Sequence, residues 1–407
     1  MEGWWHDWLS LLLRWAHFIT GVAWIGASFY FNWLENHLQR RPADAADRGV
    51  DGDADPIAGD LWAVHGGGFY YLQKFRVAPE QLPPQLHWFK YEAYFTWLTG
   101  FALLAAVYYW NASIYLLGGA GPAITAGQGI ALSMLSLVVS WLVYHGVCRS
   151  PLKHRPALLG VLVFGWFTLL AWLLDAFFNG RAVYLHVGAA IGTLMVANVF
   201  FVIIPAQKEL VRALAEQRPP DAAKGSDALL RSRHNNYLTL PVLFIMISNH
   251  YPFAYGRADS LVFLAVFSLA AVGIRHWFNI RHSAGHNRWV LPLSLLLLAG
   301  LVVSTLPRQQ PADETLAAPP STAQIMPLIQ QRCSGCHAAV PVIAGIAAAP
   351  LGVALETPAE VEAYAERIFV VAVATQTMPL GNLTGMTDEE RQRLGRWYAG
   401  LAPTPSR

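Results

Sequence analysis

Charged residues are scarce in this chain of 407 residues. Asp, Glu, Lys and Arg make up 13% of it, whereas 55% is hydrophobic and the mean hydropathy is positive. Soluble domains carry about a quarter of their residues as charged side chains, so this composition excludes a chain that is soluble throughout. The net charge of +2 gives no reason to expect a nucleic-acid partner. The sequence therefore predicts a membrane protein embedded in a lipid bilayer.

Cysteine is also scarce, and its placement is informative. Two of the three cysteines lie in the pentapeptide CSGCH at 333–337. The thiols of Cys333 and Cys336 lie on one side of a helical turn and can add to two haem vinyl groups, while His337 can ligate the iron. A zinc knuckle needs four protein ligands, and the third cysteine, Cys148, lies far away in an apolar stretch. The motif predicts one covalently bound c-type haem.

A small class I cytochrome c-like domain is predicted at 323–407. An electron-transfer haem takes a sixth ligand, and Met378, in the turn TMPLGN, lies roughly forty residues beyond the histidine of the motif. Met386 is the competing ligand, and either methionine can instead fill a gap in the core. Three helices are predicted here, one from Ser321 into the haem motif, one at 359–374 and one that begins at Thr387.

Eight apolar runs are long enough, or nearly long enough, to cross a bilayer as helices. The region 1–306 is therefore predicted to be an all-α, eight-helix transmembrane bundle. A stretch rich in Pro and Ala at 307–322 is predicted to tether the cytochrome domain to it. The predicted spans lie at 8–34, 91–117, 125–147, 157–178, 183–204, 236–251, 260–279 and 289–306.

Lysine and arginine are distributed unevenly among the loops. The loops after odd-numbered spans are rich in both, whereas the opposite loops contain only Arg181 and Arg257. Cytoplasmic loops carry the excess of basic residues, and c-type haem is attached on the outer face of the bacterial inner membrane. Both observations predict a multi-pass protein of the bacterial inner membrane with its amino terminus and its cytochrome domain in the periplasm.

Five histidines lie in or at the ends of predicted spans, where ionisable side chains are costly and usually functional. They fall into a periplasmic and a cytoplasmic layer, which suits one or two b-type haems held between histidines of different helices. Arg14 and Arg149 each lie one helical turn from a histidine and can pair with haem propionates. Alternatively, each histidine hydrogen-bonds a neighbouring helix. The predicted ligands are His17, His186 and His250 on the periplasmic side and His145 and His276 on the cytoplasmic side.

The first predicted cytoplasmic loop, at 61–92, combines glycine, aromatic and ionisable residues. Its three consecutive glycines allow backbone to approach a ligand closely, and its aromatic side chains can stack on a flat heterocycle. Its ionisable side chains offer a base and a partner for an anion. Alternatively, the loop is amphipathic and lies on the membrane surface. The predicted catalytic residues are His65, Lys74, His87 and Glu92.

The chain resembles the membrane-bound bacterial urate hydroxylases, or urate oxidases, that carry a C-terminal cytochrome c. The resemblance rests on the loop from Trp62 to Tyr94, on RWAHF at 14–18, and on the order of eight spans followed by a cytochrome. It covers essentially the whole chain. It implies an oxidoreductase of purine catabolism that converts urate to 5-hydroxyisourate. It also implies that the electrons leave through the cytochrome, so that hydrogen peroxide is not formed.

Urate is a planar anion at neutral pH, so a cytoplasmic-side pocket with Lys74 for charge, aromatic faces and a histidine base would suit it. Two electrons and two protons leave as water adds at C5, and the electrons would pass to a soluble cytochrome c or a terminal oxidase. Two other classes of protein stay open. One is an electron-transfer cytochrome subunit of a quinol-oxidising or other respiratory complex, without a substrate site. The other is a transporter or sensor with a tethered cytochrome.

Overall fold

The structure is a computed structural model that describes residues 2–40, 57–76, 79, 81–281, 287–306, 318–343, 346 and 348–401. Helix predominates, and one small antiparallel sheet follows the first helix. The predicted all-α fold is therefore right for most of the chain, but it omitted this sheet. Most of the predicted tether at 307–322 lies outside the described residues, as do the last residues of the predicted cytochrome domain.

Helices occupy each of the eight segments that the sequence predicts as spans. Their bounds, with those of three short helices between them, are α1 Glu2–His37, α2 Tyr91–Leu103, α3 Ala112–Tyr115, α4 Ala126–Arg149, α5 Pro156–Asp175, α6 Gly180–Asn198, α7 Ile204–Ala215, α8 Ala222–Ser248, α9 Pro252–Tyr255, α10 Ser260–Ile280 and α11 Val290–Ser304.

Five helices in the described part of the chain are long and apolar enough to cross a membrane by length and composition. They are α1, α4, α5, α10 and the continuous helix from α6 through α7. The remaining predicted spans fall on α2, α8 and α11, which are shorter or more polar, so the eight-span topology stays a prediction there. Two helices also contain π-helical turns, at Leu104–Tyr109 after α2 and at Val199–Ile203 after α6.

The helix α6 lies at the centre of the apolar core. Ala182, Ala190 and Leu194 on this helix are fully buried, and the core continues onto α4, α5, α8 and α10. Gly188 allows α6 and α8 to pack closely, since an added Cβ there would lie 2.5 Å from Ile245 Cγ2 on α8.

The sheet lies in the segment predicted as the first cytoplasmic loop. Its strands are β1 Gln39–Arg40, β2 Ile57–His65 and β3 Gly68–Phe75, and β2 and β3 form a hairpin. Gly66 and Gly67 make the two-residue turn, with φ of 55° and 81°. Two consecutive positive φ angles are what a type I′ hairpin turn requires, and glycine adopts them without strain. The glycines thus have a structural role in this turn.

The C-terminal region contains four helices, α12 Thr322–Arg332, α13 Pro358–Ala363, α14 Ala365–Ile368 and α15 Asp388–Leu401. Leu394 and Trp397 of α15 are buried against Ile325 and Ile329 of α12. The predicted middle helix at 359–374 is interrupted at Tyr364, whose φ and ψ of −106° and 14° are not helical. It resumes as α14 and a π-helical turn at Phe369–Ala374. The short turn Leu380–Asn382, just after Met378, lies against α3 of the helical region.

Candidate functional site

The residues of the CSGCH motif form a tight turn at the C-terminal end of α12. The backbone N–H groups of Cys336 and His337 donate to the carbonyl of Cys333, at 3.1 and 2.9 Å. The imidazole Nδ1 of His337 lies 2.9 Å from the Val353 carbonyl. Because a carbonyl can only accept, Nδ1 carries the proton and Nε2 keeps a lone pair. Ligating histidines are commonly oriented in this way.

Both thiols of the motif are held in the neutral form. Burial raises the pKa of Cys333 to about 12 and also raises the pKa of Cys336. Within the described residues, no three His, Cys, Asp or Glu side chains are grouped so that they could hold a metal ion. The motif therefore fits haem attachment better than a zinc knuckle.

The two methionines considered as the sixth ligand differ in burial. Met386 is 4% exposed, lies in the apolar core, and exchanges hydrogen bonds of 2.8 and 3.1 Å with the side chain of Asn382. Met378 is half-buried. Its backbone is fixed by Val371, which accepts from its N–H at 2.9 Å, and by Arg391, which donates to its carbonyl at 2.8 Å. A fixed backbone with a side chain outside the core favours Met378 as the ligand.

The histidines predicted on the periplasmic side differ in whether their hydrogen bonds leave Nε2 free to ligate iron. His17 Nδ1 lies 3.0 Å from the Thr96 carbonyl, so its Nε2 keeps a lone pair. His186 is fully buried, with Nδ1 at 2.7 Å from the Ala182 carbonyl and Nε2 at 2.6 Å from the Ser133 hydroxyl. His17 is thus oriented as an iron ligand would be. His186 would first have to lose its hydrogen bond with Ser133.

The remaining predicted haem ligands also differ in which ring nitrogen carries the proton. His145 Nδ1 lies 3.4 Å from Nη2 of Arg231, which can only donate, so the proton of His145 is on Nε2. His276 Nδ1 lies 2.7 Å from the Tyr237 hydroxyl, which permits either tautomer. His250 follows the end of α8 and is half-buried. Among the described residues, no ring contact joins two of the five histidines.

The four predicted catalytic residues do not form one site. His65 pairs with Gly68 at the hairpin turn, whereas Lys74 lies six residues further along β3. Six strand residues span roughly 20 Å, so one urate molecule could not contact both side chains. The Nζ of Lys74 instead forms a 2.5 Å salt bridge with Glu35, and both side chains are largely exposed.

The other two predicted catalytic residues lie after the hairpin. His87 is exposed, with its ring edge-on to Phe89 at 4.6 Å between centroids. Glu92 lies in the first turn of α2, and its buried Oε2 has no hydrogen-bond partner among the described residues. A cleft of about 670 Å³ beside this segment has no ionisable side chain in its lining. Its lining residues are Leu82, Pro83, Pro84, Gln85, Leu86, Trp88 and Val211.

A second cleft lies between α4, the π-helical turn after α6 and the first half of α8. Its volume is about 380 Å³, within the usual range for small-ligand pockets. We call it the aromatic cleft, and its lining is Trp141, His145, Arg149, Phe201, Val202, Asp227 and Arg231. The sequence singled out His145 and Arg149, but as a haem ligand and a propionate partner. Trp141, Phe201 and Arg231 were missed.

A buried polar network lies behind the aromatic cleft. The Tyr144 hydroxyl lies 2.8 Å from His234 Nδ1 and accepts from Asn198 Nδ2 at 3.1 Å. Asn198 also donates to Asn235 at 2.8 Å. The guanidinium of Arg231 lies over the Tyr144 ring, 4.8 Å from its centroid, and so connects the network to the cleft. The polar run RSRHNN at 231–236 is the sequence feature that could have predicted this network. The sixth predicted span begins at residue 236 and therefore excludes most of this run.

Comparison with known proteins assigns the helical region but not the C-terminal one. The family model described as urate oxidase N-terminal matches residues 3–306. No curated protein and no solved structure matches the chain.

Proposed function

The chain belongs to the urate oxidase N-terminal family, which matches residues 3–306 of its 407, and on this basis we propose that it converts urate to 5-hydroxyisourate in a membrane. The electrons leave through the C-terminal cytochrome c-like region, and hydrogen peroxide is not formed. The observation that carries this proposal is the CSGCH turn in the same chain as the family region, with the Nδ1 of His337 engaged by a carbonyl.

The proposed reaction balances without oxygen. Urate and one water give 5-hydroxyisourate, two protons and two electrons, and the new C5–O bond takes its oxygen from the water. The electrons pass singly to an external acceptor, either a soluble cytochrome c or a terminal oxidase. Hydrogen peroxide is not formed because these electrons pass to the cytochrome region and its acceptor instead of reducing oxygen.

The C-terminal residues would each have a definite part. Cys333 and Cys336 would attach the haem, His337 and Met378 would ligate its iron, and the haem would supply a carrier for one electron at a time. Arg391 holds the Met378 turn by donating to its carbonyl. The turn Leu380–Asn382 lies against α3, so the Met378 side of the cytochrome region faces the helical region.

We further propose that the helical region holds one or two b-type haems, of which His17 and His276 are the best-oriented ligands. Both use Nδ1 for a hydrogen bond, and for His17 the carbonyl partner leaves a lone pair on Nε2. A pathway of this kind would connect the two faces of the bundle.

The proposed location is the bacterial inner membrane, with the amino terminus and the cytochrome region in the periplasm. Reporter fusions at Ala58, in β2, and at the C terminus should then give opposite results. Matching results at the two positions would contradict this topology.

The enzymatic proposal is tested by adding urate anaerobically to the purified oxidised protein while haem absorbance is recorded. Reduction of the c-type haem by urate, with no added mediator, is the expected result. If urate leaves the haem oxidised while a quinol reduces it readily, the chain is an electron-transfer subunit without its own substrate site. The same experiment on Cys333→Ala/Cys336→Ala protein gives the spectral control.

A further inference from the structure

On the premise of the proposed function, we infer that the aromatic cleft is the urate site and that Arg231 binds the anionic edge of the purine. Arg149 adds a second positive charge, and Trp141 and Phe201 provide the stacking faces. The cleft therefore takes a planar, singly charged heterocycle. The hairpin residues His65 and Lys74 are not part of this site.

The aromatic wall of the cleft is continuous. The rings of Phe201 and Trp141 are stacked with centroids 5.9 Å apart and planes inclined by 26°, and the imidazole of His145 follows at 4.8 Å from Trp141. Phe201 lies on the π-helical turn Val199–Ile203, which follows α6. Offset aromatic faces are the usual surface on which a flat heterocycle packs.

The charge of the cleft favours an anion. Its only acidic residue, Asp227, forms a 3.1 Å salt bridge with Lys153. Within the described residues, neither Arg149 nor Arg231 has a carboxylate partner. Two arginines against one neutralised carboxylate leave a net positive site, and the planar guanidinium of Arg231 can bind two acceptor atoms of a ligand at once.

An unused buried donor identifies Arg231 as the central residue. Arg231 is only 2% exposed, yet its Nη1 has no hydrogen-bond partner among the described residues. A buried donor without a hydrogen-bond partner is destabilising, and more so when it is charged. The acceptor edge of deprotonated urate, a carbonyl oxygen beside a ring nitrogen, would remove this cost. The ring of Tyr144 supports the guanidinium from behind.

The tautomer of His145 fits an anion better than an iron. Arg231 can only donate to Nδ1 of His145, so Nε2 carries a proton and is itself a donor. An iron ligand would need a lone pair at that nitrogen. A purine carbonyl can accept from it without any change in protonation. This assignment places His145 and Arg149 in the substrate site and leaves His17 and His276 as haem ligands.

The unpartnered polar atoms are not scattered through the bundle. They belong to the first turn of α2, the end of α6, the first half of α8 and the end of α10, which meet at one face when successive helices run antiparallel. In the described part of the chain they are Glu92 Oε2, Asn198 Oδ1, Arg231 Nη1, Asn236 Nδ2, Arg275 Nη2 and Arg281 Nε. This face is the predicted cytoplasmic one, so urate would bind there from the cytoplasm.

The test uses xanthine, a planar purine that this reaction does not consume, at a pH alkaline enough for xanthine to be an anion. Its binding to the full-length oxidised holoprotein is measured by equilibrium dialysis, and the KM for urate is measured in parallel. Arg231→Gln should raise the Kd for xanthine and the KM for urate at least tenfold. Arg149→Gln, at an exposed position with less risk to folding, should raise both about threefold. Arg181→Gln is the control, because Arg181 is a half-buried arginine at the other end of α6, donates to Asn249 at 3.1 Å and does not line the cleft, and it should change neither value more than twofold.

Several results would overturn the site. Unchanged xanthine binding in both Arg231→Gln and Arg149→Gln would do so. Unchanged xanthine binding with a loss of b-type haem would mean that the arginines pair with haem propionates. Unchanged binding with a loss of copurified phospholipid would mean that the cleft holds a lipid headgroup. If wild-type protein oxidises urate in each case, only this site fails, whereas wild-type protein that cannot oxidise urate contradicts the proposed function itself.

Discussion

The C-terminal region and the helical region build their candidate sites in opposite ways. In the C-terminal region, five consecutive residues at 333–337 would supply two attachment thiols and one iron ligand of the proposed haem, and one turn would supply Met378. In the helical region, the aromatic cleft combines residues that lie between Trp141 and Arg231 on three separate helices. The first site can be identified from a local sequence motif, without knowledge of the fold. The second site exists only after the helices have packed.

The two regions also differ in how their buried polar groups are satisfied. In the C-terminal region, Trp397 Nε1 donates to the Thr322 hydroxyl at 3.2 Å, and buried Arg391 donates to backbone carbonyls. All buried side-chain polar atoms without a partner in the described residues belong to the helical region. An unsatisfied buried polar group is destabilising, so a polar ligand that bonds such groups stabilises the region that binds it. The comparison therefore supports the proposal that the helical region binds a polar ligand.

The largest expected effect is a loss of function in the C-terminal region that leaves ligand binding in the helical region unchanged. Changing both thiols, in Cys333→Ala/Cys336→Ala, should abolish covalently bound haem and electron transfer from urate to an external acceptor, because the exit for electrons is lost. Xanthine binding should stay within twofold of wild type, because the helical region is intact. Haem staining of denaturing gels and equilibrium dialysis measure the two effects. Loss of xanthine binding in this variant would show that the regions do not act independently.

The next largest effect distinguishes a histidine proposed to ligate haem from a histidine proposed to bind the substrate. His17→Ala should remove about half or more of the b-type haem, because His17 is oriented with a free lone pair on Nε2. His145→Ala should leave b-type haem unchanged and weaken xanthine binding. Pyridine haemochrome spectra of full-length protein quantify b-type against c-type haem. Equal loss of b-type haem in both variants would return His145 to the haem site, and a complete lack of b-type haem in wild type would remove the proposed transmembrane pathway.

A third effect distinguishes the two methionines of the C-terminal region. Met378→Ala should eliminate the absorbance band due to sulfur ligation of iron while leaving the fold stable. Met386→Ala should retain that band but lower the free energy of unfolding by about 3 kcal/mol, since it leaves a cavity in a packed core. Denaturant unfolding followed by haem absorbance gives both quantities. A band that survives Met378→Ala would assign the sixth ligand elsewhere.

Much of the C-terminal site could be predicted because its determinants are local. The capping residues Ser321 and Thr387 lie at the starts of α12 and α15, and Ser321 makes the full capping box with Gln324. The interruption at Tyr364 could not be predicted, because the apolar spacing of 359–374 alone is compatible with one helix. The two parts of this segment contact different helices, since α13 packs against α12 and the π-helical turn packs against α15.

In the helical region, the positions of the spans could be predicted from the sequence, whereas the residues of the aromatic cleft could not. Apolar runs located the eight helices that were predicted as spans, because the length of such a run is a property of the sequence alone, but they did not locate α3, α7 and α9. The cleft depends on which faces of α4, α6 and α8 meet, and the π-helical turn at Val199–Ile203 changes the face that Phe201 occupies. The glycines at 66–68 suggested a ligand site from composition, whereas their φ angles show that two of them serve a hairpin turn.

The smallest expected effect concerns acid stability of the C-terminal region. Arg332 donates to Glu390 at 3.0 and 3.1 Å and holds the pKa of this carboxyl below its usual range. A depressed carboxyl pKa stabilises the fold above the unfolded pKa of about 4.3 and loses that contribution as the pH falls through the lower folded value. Glu390→Gln should therefore cost about 1 kcal/mol at pH 7 and almost nothing at a pH low enough to protonate the carboxyl in the folded protein. Glu366→Gln, at an exposed position of α14, is the matched control, and an equal cost for Glu390→Gln at both pH values would contradict the pairing.

The most direct test of the central claim is the electron balance of urate oxidation in air. Purified protein would be supplied with urate and an excess of oxidised soluble cytochrome c, and 5-hydroxyisourate, reduced cytochrome c and hydrogen peroxide would be measured together. We predict two equivalents of reduced cytochrome c for each 5-hydroxyisourate and no hydrogen peroxide. One hydrogen peroxide for each urate, with the cytochrome left oxidised, would contradict the account.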